Sequence, residues 1–250
     1  MEQGSMQDLF SLAGKVAVVT GATGVLGGEM VRSLARSEVR VAVLGRGEEK
    51  AHRVAGEIEV AGGESLALPA DVLDTSQLQD ARDALLERWG RVDILVNAAG
   101  GNVPEATLGN GVGVFLLPEK ALRQVMDLNF LGTVLPCQIF GAAMVEGAEE
   151  PDGCIVNISS MAASKTLTNV VGYSAAKAAV DNFTRWLAVE LARTYGPGLR
   201  VNAIAPGFFI GEQNRDLLLR KTVAYQREGR LSSSTPRRGV SENPMSWEGP

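Results

Sequence analysis

The chain has 250 residues and a formal net charge of −5, a size that suits one large α/β domain with its own core. Acidic and basic residues are interleaved without a basic stripe, which argues against nucleic acid as a partner. With two cysteines and one histidine, the composition argues against a disulfide scaffold, a thiolate metal site and a histidine triad. The first twelve residues carry no leader pattern, and we expect no membrane span. These features predict a cytoplasmic protein without metal.

Short apolar runs alternate with helical patterns along most of the chain. Strands are expected at 15–20, 40–44, 65–68, 92–97, 154–159 and 200–204, and helices at 29–37, 48–60, 75–89, 118–145 and 173–195. Thr75 is the expected N-cap of the third helix, and Pro136 is expected to bend or interrupt the fourth. Strict β-α alternation with apolar strands predicts a doubly wound, Rossmann-like parallel sheet flanked by helices on both faces.

A glycine-rich turn, T-G-A-T-G-V-L-G at 20–27, joins the first strand to the first helix. Glycines at such a turn let a pyrophosphate approach backbone N–H groups and the positive end of the helix. Glycines also occur in many strand-to-helix turns for purely steric reasons. The turn alone therefore leaves both interpretations open.

Three later segments follow strands that are expected to end at the same edge of the sheet. Arg46 could neutralise the 2′-phosphate of NADP, which favours NADP over NAD, although a solvated arginine fits almost as well. Asp71 could meet an adenine edge or cap a turn. The segment N-A-A-G-G-N at 97–102 is small enough to leave room for a ligand.

Tyr173 and Lys177 are four residues apart at the start of a helix, so both side chains are expected on one face. Transfer of a hydride to a carbonyl needs a proton for the developing alkoxide, and a tyrosine can supply it. The phenol has an unperturbed pKa of about 10, and a neighbouring ammonium favours its ionised form. Ser160, at the end of a strand, could hydrogen-bond the substrate oxygen. A chance pair on an exposed helix is the alternative.

Taken together, these motifs resemble the short-chain dehydrogenase/reductase family. T-G-A-T-G-V-L-G, N-A-A-G, D-L-N, N-I-S-S, Y-S-A-A-K and N-A-I-A-P-G-F follow in family order across residues 15–207. The resemblance implies four catalytic residues, Asn129, Ser160, Tyr173 and Lys177, with Asn129 holding a water that connects Lys177 to solvent. The cofactor-binding residues that it implies are Gly21, Thr23, Gly24, Val25, Leu26, Arg46, Asp71, Val72, Asn97, Ala98, Ala99, Tyr173, Lys177, Pro206, Gly207 and Phe209.

Within this family, the segments at 24–27, 99–102, 129–133 and 206–209 are most similar to the D-mannonate (fructuronate) oxidoreductase branch. That similarity implies interconversion of a carbonyl and a secondary alcohol on a sugar acid, with NADP or NAD. The family also implies a homodimer or homotetramer built through the helices that carry Asn129 and Tyr173. A reductase of another carbonyl, such as an acyl ketone, and a catalytically inactive dinucleotide-binding protein are the alternatives.

The chain departs from the family pattern at three places. Val25 replaces the middle glycine of the turn, and Gly211 stands where many relatives have threonine. From about Arg220 the family's last helix and strand motifs are missing, so we expect one domain at 1–219, lacking the last C-terminal strand, and an atypical, disordered tail at 220–250. Residues 240–247 can be encoded so that a frame offset by one base reads R-F-G-E-P-D-E-L, a family motif. We therefore hypothesise a frameshift near Arg220, which sequencing the gene would test.

Overall fold

The apolar runs of the sequence form a six-stranded parallel sheet. The computed structural model describes residues 10–108 and 113–207. Its strands are β1 (Val16–Thr20), β2 (Arg40–Gly45), β3 (Ser65–Pro69), β4 (Ile94–Asn97), β5 (Gly153–Ile158) and β6 (Leu199–Ile204). They pair in the order β3-β2-β1-β4-β5-β6, with every pair parallel. This order confirms the doubly wound, Rossmann-like fold.

Helices cover both faces of the sheet. They are α1 (Val25–Arg36), α2 (Glu48–Val60), α3 (Thr75–Trp89), α4 (Glu119–Met126), α5 (Gly132–Val145) and α6 (Val171–Tyr195). Successive side chains of a strand point to opposite faces, so β1 contributes residues to two separate cores. Val16 and Val18 belong to the core that includes α3 and α5 residues, whereas Ala17 and Val19 pack with residues of α1 and α2. Burial of both faces explains why β1, β2 and β4 are largely apolar, whereas β6 carries Arg200 and Asn202 on an exposed face.

The helix starts differ from those expected. α1 begins at Val25 rather than Glu29, because Gly27 and Gly28 are already helical, and α6 begins at Val171 rather than Tyr173. The N-cap of α3 is Asp74, whose carboxylate accepts the N–H groups of Ser76 and Gln77. The expectation that Thr75 caps this helix is therefore wrong. The Asp74 carboxylate, one residue earlier, satisfies two first-turn N–H groups that would otherwise lack an acceptor.

The long fourth helix is interrupted at Asp127–Leu131, which forms a π-turn, and not at Pro136, through which α5 continues. Asn129 causes the widening by a side-chain hydrogen bond. Its Nδ2 donates to the carbonyl of Val125 at 2.8 Å, the acceptor that an α-helix would offer to the backbone N–H of Asn129. A side chain inserted into the helical ladder opens it locally.

Residues Glu119–Val145 form a continuous helical stretch of 27 residues, within which an 18-residue window has a mean hydropathy of 1.5. By length and composition it could cross a membrane, contrary to the expectation that no stretch is long enough. Core helices of globular proteins share this property. Here the stretch buries the polar side chains of Asn129 and Thr133, and Phe140 lies in the main core.

Several expectations fall outside the described residues. They are the cofactor contact of Phe209, the change at Gly211, the absence of the last C-terminal strand, and the domain boundary with its tail at 220–250.

The sheet order places the candidate residues at one edge. β1 lies between β2 and β4. From β1 the chain proceeds outwards to β2 and β3, and it then crosses back to form β4 on the other side of β1. Doubly wound sheets bind ligands in the crevice that this reversal creates at the carboxyl ends of the strands. The segments that follow the carboxyl ends of the first five strands contain Gly21, Arg46, Asp71, Ala98 and Ser160.

Candidate active site

The glycine turn is packed so closely that side chains are excluded from it. Gly21 has a φ of +63°, and a Cβ there would lie 2.7 Å from the backbone nitrogen of Ala99. A Cβ on Gly27 would lie 2.3 Å from the carbonyl oxygen of Gly21. Gly24 is the N-cap of α1 and offers no side-chain acceptor to the first-turn N–H groups. These N–H groups and the bare backbone fit a pyrophosphate.

The other residues expected to bind the cofactor in this turn differ in exposure. Val25, at the first helical position, is 53% exposed. Leu26 is half-buried, and the Thr23 side chain lies against Gly45 at the end of β2, 3.2 Å from the position of a Cβ on that glycine. The turn and the end of β2 are therefore in direct contact.

Arg46 and Asp71 lie next to each other beyond the ends of β2 and β3. The guanidinium NH1 of Arg46 is 3.9 Å from Oδ2 of Asp71. Oδ1 of Asp71 accepts the N–H of Leu73 at 3.0 Å, which is the turn-capping role considered from the sequence. Arg46 is 71% exposed at its side chain, so its guanidinium is accessible. Val72 is buried and packs towards Gly132 of α5.

The end of β4 contributes its backbone to this edge and its side chain to the core. The Asn97 side chain is buried, where Nδ2 donates to Asn157 Oδ1 at 2.9 Å. Beyond it, Ala98 and Ala99 pass against Gly21, and the N–H of Ala99 donates to Thr20 Oγ1 at 3.2 Å. Small residues are needed here because the two loops touch through their main chains.

Asn129 holds the loop after β4 by a two-way hydrogen bond. Its Nδ2 donates to the carbonyl of Gly101 at 2.7 Å, and its Oδ1 accepts the N–H of Gly101 at 3.0 Å. The neighbouring Gly100 leaves no room for a side chain, since a Cβ would lie 2.7 Å from Asn129 Oδ1 and 3.2 Å from Lys177 Nζ. The loop, the π-turn and Lys177 therefore meet at one point.

Lys177 is buried on α6, and its ammonium is held by a backbone acceptor. Nζ donates to the carbonyl of Ile158 at 2.7 Å and lies 5.7 Å from the centre of the Tyr173 ring. Burial lowers the pKa of Lys177 to about 8, and attraction by Asp181 opposes that shift. Lys177 therefore titrates much closer to neutrality than an exposed lysine does.

Tyr173 and Ser160 complete this end of the site. The Tyr173 ring packs against the small apolar cluster that includes Ala121 and Val125. Burial raises the pKa of Tyr173, and hydrogen bonding with Ser160 opposes that rise. Ser160 is buried, and its Oγ accepts the N–H of Ala162 at 3.1 Å. A raised pKa keeps the phenol protonated at neutral pH, ready to donate.

Pro206 and Gly207 follow β6 at the same edge. The carbonyl of Pro206 accepts the N–H of Met161, directly after Ser160, at 3.0 Å. This bond ties the segment after β6 to the loop after β5. Phe209, the remaining expected cofactor residue, lies outside the described residues.

Sequence reasoning missed the groups that act through the main chain. The carbonyl of Ile158 and the N–H and carbonyl of Gly101 have no signature in side-chain pattern. The glycine pair at 100–101 was the one available signal, because two adjacent glycines often mark a close approach of backbones. In the described residues, no group of three or more His, Cys, Asp or Glu side chains could hold a metal ion.

The buried Lys177 predicts a specific pH dependence of stability. The pKa of Lys177 is about 8 in the folded protein and 10.5 in the unfolded chain. Between pH 8 and 10.5 the unfolded chain therefore binds more protons than the folded protein does. The contribution of Lys177 to the free energy of unfolding therefore becomes more favourable as pH rises from 8 to 10. Comparing wild type with Lys177→Met by urea unfolding at several pH values should show wild type gaining stability relative to the variant.

Lys120→Met is the matched control, since Lys120 is exposed on α4. That variant should parallel wild type across the same pH range. An identical pH slope for wild type and Lys177→Met would contradict the burial of a titrating ammonium.

Comparison with known proteins agrees with this geometry. The model of the short chain dehydrogenase family matches residues 15–219. The uncharacterized oxidoreductase UxuB of Bacillus subtilis is 44% identical over 235 residues, covering 90% of this chain and 82% of that protein. D-threitol dehydrogenase of Mycolicibacterium smegmatis is 34% identical over 207 residues, covering 81% and 73%.

A solved structure of similar fold binds a nicotinamide cofactor. The proposed D-mannonate oxidoreductase from Haemophilus influenza, solved with bound NAD, superposes with a TM-score of 0.75 at 38% identity. The match covers 83% of this chain and 76% of that one. The family match, the sheet order and the relatives all agree, and the chain belongs to the short chain dehydrogenase family.

Proposed function

We propose that this protein is an NAD(P)-dependent oxidoreductase that interconverts a carbonyl and a secondary alcohol, with Tyr173 as the proton donor and acceptor. The observation that carries the proposal is the convergence of Tyr173, Ser160 and Lys177 beside the crevice at the carboxyl edge of the sheet. The glycine turn lies at that same edge and fits a pyrophosphate.

Each side chain has a distinct task in this reaction. The bound nicotinamide supplies or accepts the hydride. Ser160 Oγ hydrogen-bonds the substrate oxygen and stabilises the charge that develops on it. The Tyr173 phenol donates its proton to that oxygen during reduction. During oxidation the Tyr173 phenolate takes the proton of the substrate hydroxyl. The Lys177 ammonium stabilises the resulting phenolate by its positive charge.

Proton return is the task that we assign to Asn129 and Lys177. The side chain of Asn129 is already bonded to Gly101 and Val125, so it holds the loop in place beside Lys177. A water at Asn129 would connect the ammonium of Lys177 to solvent. Because the pKa of Lys177 is lowered to about 8, the group can release and regain a proton near neutral pH.

For the substrate we propose a sugar acid of the D-mannonate or fructuronate type. Two of the similar proteins are named for polyhydroxylated compounds, D-mannonate and D-threitol. In the loop that follows Ser160, a cavity of about 360 Å³ is lined in part by Ser164, Lys165 and Thr166. Hydroxyls would bond the sugar, and a lysine would attract its carboxylate.

Replacing Tyr173 with Phe tests the mechanism. The ring remains to pack against Ala121 and Val125, while the proton donor is lost. We expect kcat for reduction of fructuronate to fall about 10²- to 10⁴-fold. Purified protein is assayed with NADPH and NADH against fructuronate, a simple ketone and an acyl ketone.

Tyr195→Phe is the control, because Tyr195 lies exposed at the far end of α6. Full activity in Tyr173→Phe would contradict the mechanism. Cofactor binding by wild type without turnover of any ketone would instead support a catalytically inactive dinucleotide-binding protein. Turnover of the acyl ketone alone would contradict the sugar-acid assignment.

NADP is the cofactor that we favour, on the position of Arg46. Its exposed guanidinium stands at the end of β2, where dinucleotide-binding folds meet the adenosine ribose. Asp71 sits 3.9 Å away and keeps the guanidinium at that edge. The NAD found in the related structure belongs to that protein, so the preference of this chain is tested directly.

Removing the guanidinium should change the choice of cofactor. We expect Arg46→Ala to lower kcat/KM for NADPH at least about tenfold, the loss of one charge-assisted contact to phosphate, with little change for NADH. Arg53→Ala is the control, since Arg53 is an exposed arginine within α2. Equal effects on both cofactors would contradict a role in phosphate recognition.

A homodimer or homotetramer is also part of the proposal. α6 exposes Trp186 and Val189, with 57% and 60% of their surface accessible. Trp186 stacks on Phe183, which in turn meets Phe130 of the π-turn edge-on, so the exposed face is a continuous apolar surface. Surfaces of this kind mark contacts between proteins.

A charge placed on this face should separate the subunits. Trp186→Glu is expected to reduce the mass measured by sedimentation towards that of a monomer, because the carboxylate would be buried at the interface. Val60→Glu, which changes a 92% exposed residue at the end of α2, should leave the mass unchanged. If Trp186→Glu sediments with the same mass as an oligomeric wild type, this face of α6 is not the subunit interface.

For domain organisation we propose a boundary near residue 219, where the family match ends. A frameshift near Arg220 would account for the missing family motifs beyond it. Codons that do not permit the offset reading would contradict this origin of the tail.

A further inference from the structure

One face of α6 carries both active-site and core residues. Tyr173, Lys177, Val180 and Thr184 follow one another at spacings of four, three and four residues, which places them on a single stripe of the helix. Lys177, Val180 and Thr184 are 3%, 0% and 5% exposed, so this stripe faces the interior. The position of Tyr173 therefore depends on the contacts that hold Thr184, the last residue of the stripe.

Thr184 is held by a buried asparagine of β5. Nδ2 of Asn157 donates to Thr184 Oγ1 at 2.9 Å, and Thr184 Oγ1 donates its own proton to the carbonyl of Val180 at 2.7 Å. Because the threonine proton is used on α6, the threonine oxygen must act as acceptor towards β5. This requirement orients the Asn157 amide and leaves its Oδ1 to accept from Asn97 at 2.9 Å.

β5 is bonded to α6 at two successive residues. Asn157 contacts Thr184, and the carbonyl of Ile158 accepts the ammonium of Lys177. The two contacts are one residue apart on the strand and seven residues apart on the helix. Together they restrict both the rotation of α6 about its axis and its translation along β5, and Ser160 follows two residues after Ile158.

The same set of bonds extends to Asn97 at the end of β4, directly before the loop that Asn129 holds. Asn97 and Asn157 are partners in the register of β4 and β5, and both are almost completely buried. Asn97 also donates to Cys137 Sγ of α5 at 3.1 Å. A connected set of buried polar side chains thus joins β4, β5, α5 and α6.

We propose that Asn157 and Thr184 are positioning residues: their hydrogen bond sets the placement of α6 on β5 and thereby aligns the Tyr173 phenol with Ser160. This inference rests on the proposed function for its kinetic consequence. It assigns no direct contact with substrate to either residue. Misplacement of a catalytic group by about 1 Å from a distant change can lower a rate about a hundredfold.

The hydroxyl of Thr184 is the group to remove. Thr184→Val keeps the volume of the side chain but leaves Asn157 Nδ2 buried without its acceptor, a costly state that α6 can relieve by shifting. Thr184→Ser restores the acceptor with one methyl fewer. If the valine variant does not fold, Thr184→Ala, which cannot overpack the interface, serves in its place.

The kinetic readout is the separation of kcat from KM. We expect Thr184→Val to lower kcat about tenfold to a hundredfold, with KM for the cofactor within about twofold of wild type. Its pH–rate profile should shift, because the Tyr173 phenol moves relative to Ser160. Thr184→Ser should recover most of the loss.

A second readout needs no turnover. The chain has three tyrosines, so replacing Tyr195 and Tyr225 with Phe leaves the phenol of Tyr173 as the only one to titrate by absorbance. Hydrogen bonding with Ser160 opposes the rise in the Tyr173 pKa, so its loss in Thr184→Val should move the titration to higher pH. This measurement separates failure of the positioning role from failure of the proposed reaction.

Ser65→Ala is the matched control for lost stability. Ser65 is a buried hydroxyl on β3 that donates to the carbonyl of Ala55 at 2.9 Å, on the opposite edge of the sheet. It should destabilise the protein without changing kcat or the Tyr173 titration. A Thr184→Val protein with wild-type titration would overturn the proposal, as would an equal loss of kcat in Ser65→Ala.

Discussion

The burial of the Lys177 ammonium is the constraint around which this site is built. A charged group removed from water must be paired or hydrogen-bonded, or else it loses its proton. The carbonyl of Ile158 provides the partner, which fixes Lys177 to the end of β5. Gly100 lies beside the ammonium, where a Cβ would come 2.7 Å from Asn129 Oδ1 and 3.2 Å from Lys177 Nζ. The strand, the helix and the loop after β4 are thus arranged around one charge.

Two different needs shape the two halves of the crevice. At the glycine turn, backbone must touch backbone, so Gly21 and Ala99 approach without side chains between them. At the other half, side chains must be held rigidly, so buried hydrogen bonds surround Asn129, Lys177 and Asn157. An open cradle suits a large anionic ligand, whereas a buried hydrogen-bonded network suits proton transfer at one atom.

Local sequence pattern predicted the sheet well because its central strands, β1, β2 and β4, are buried on both faces and appear in the sequence as apolar runs. Helix ends were less accurate. Asp74 replaced Thr75 as the N-cap, since both are good capping residues and only the path of the chain decides which of them precedes the first helical turn. The break in the fourth helix was placed at Pro136, but the Asn129 amide makes it earlier. No local rule identifies a side chain that captures a carbonyl of its own helix.

By itself, the sequence determined the fold class and the identity of the groups available for chemistry, because apolar periodicity and ordered motifs are properties of neighbouring residues. Tertiary structure decided how those groups are used. It directed the Asn97 side chain into the core, committed one oxygen of Asp71 to a turn and brought Arg46 beside it. It also supplied the Ile158 carbonyl to Lys177. Backbone acceptors and contacts between distant strands leave no mark in local sequence, since every residue carries the same main chain.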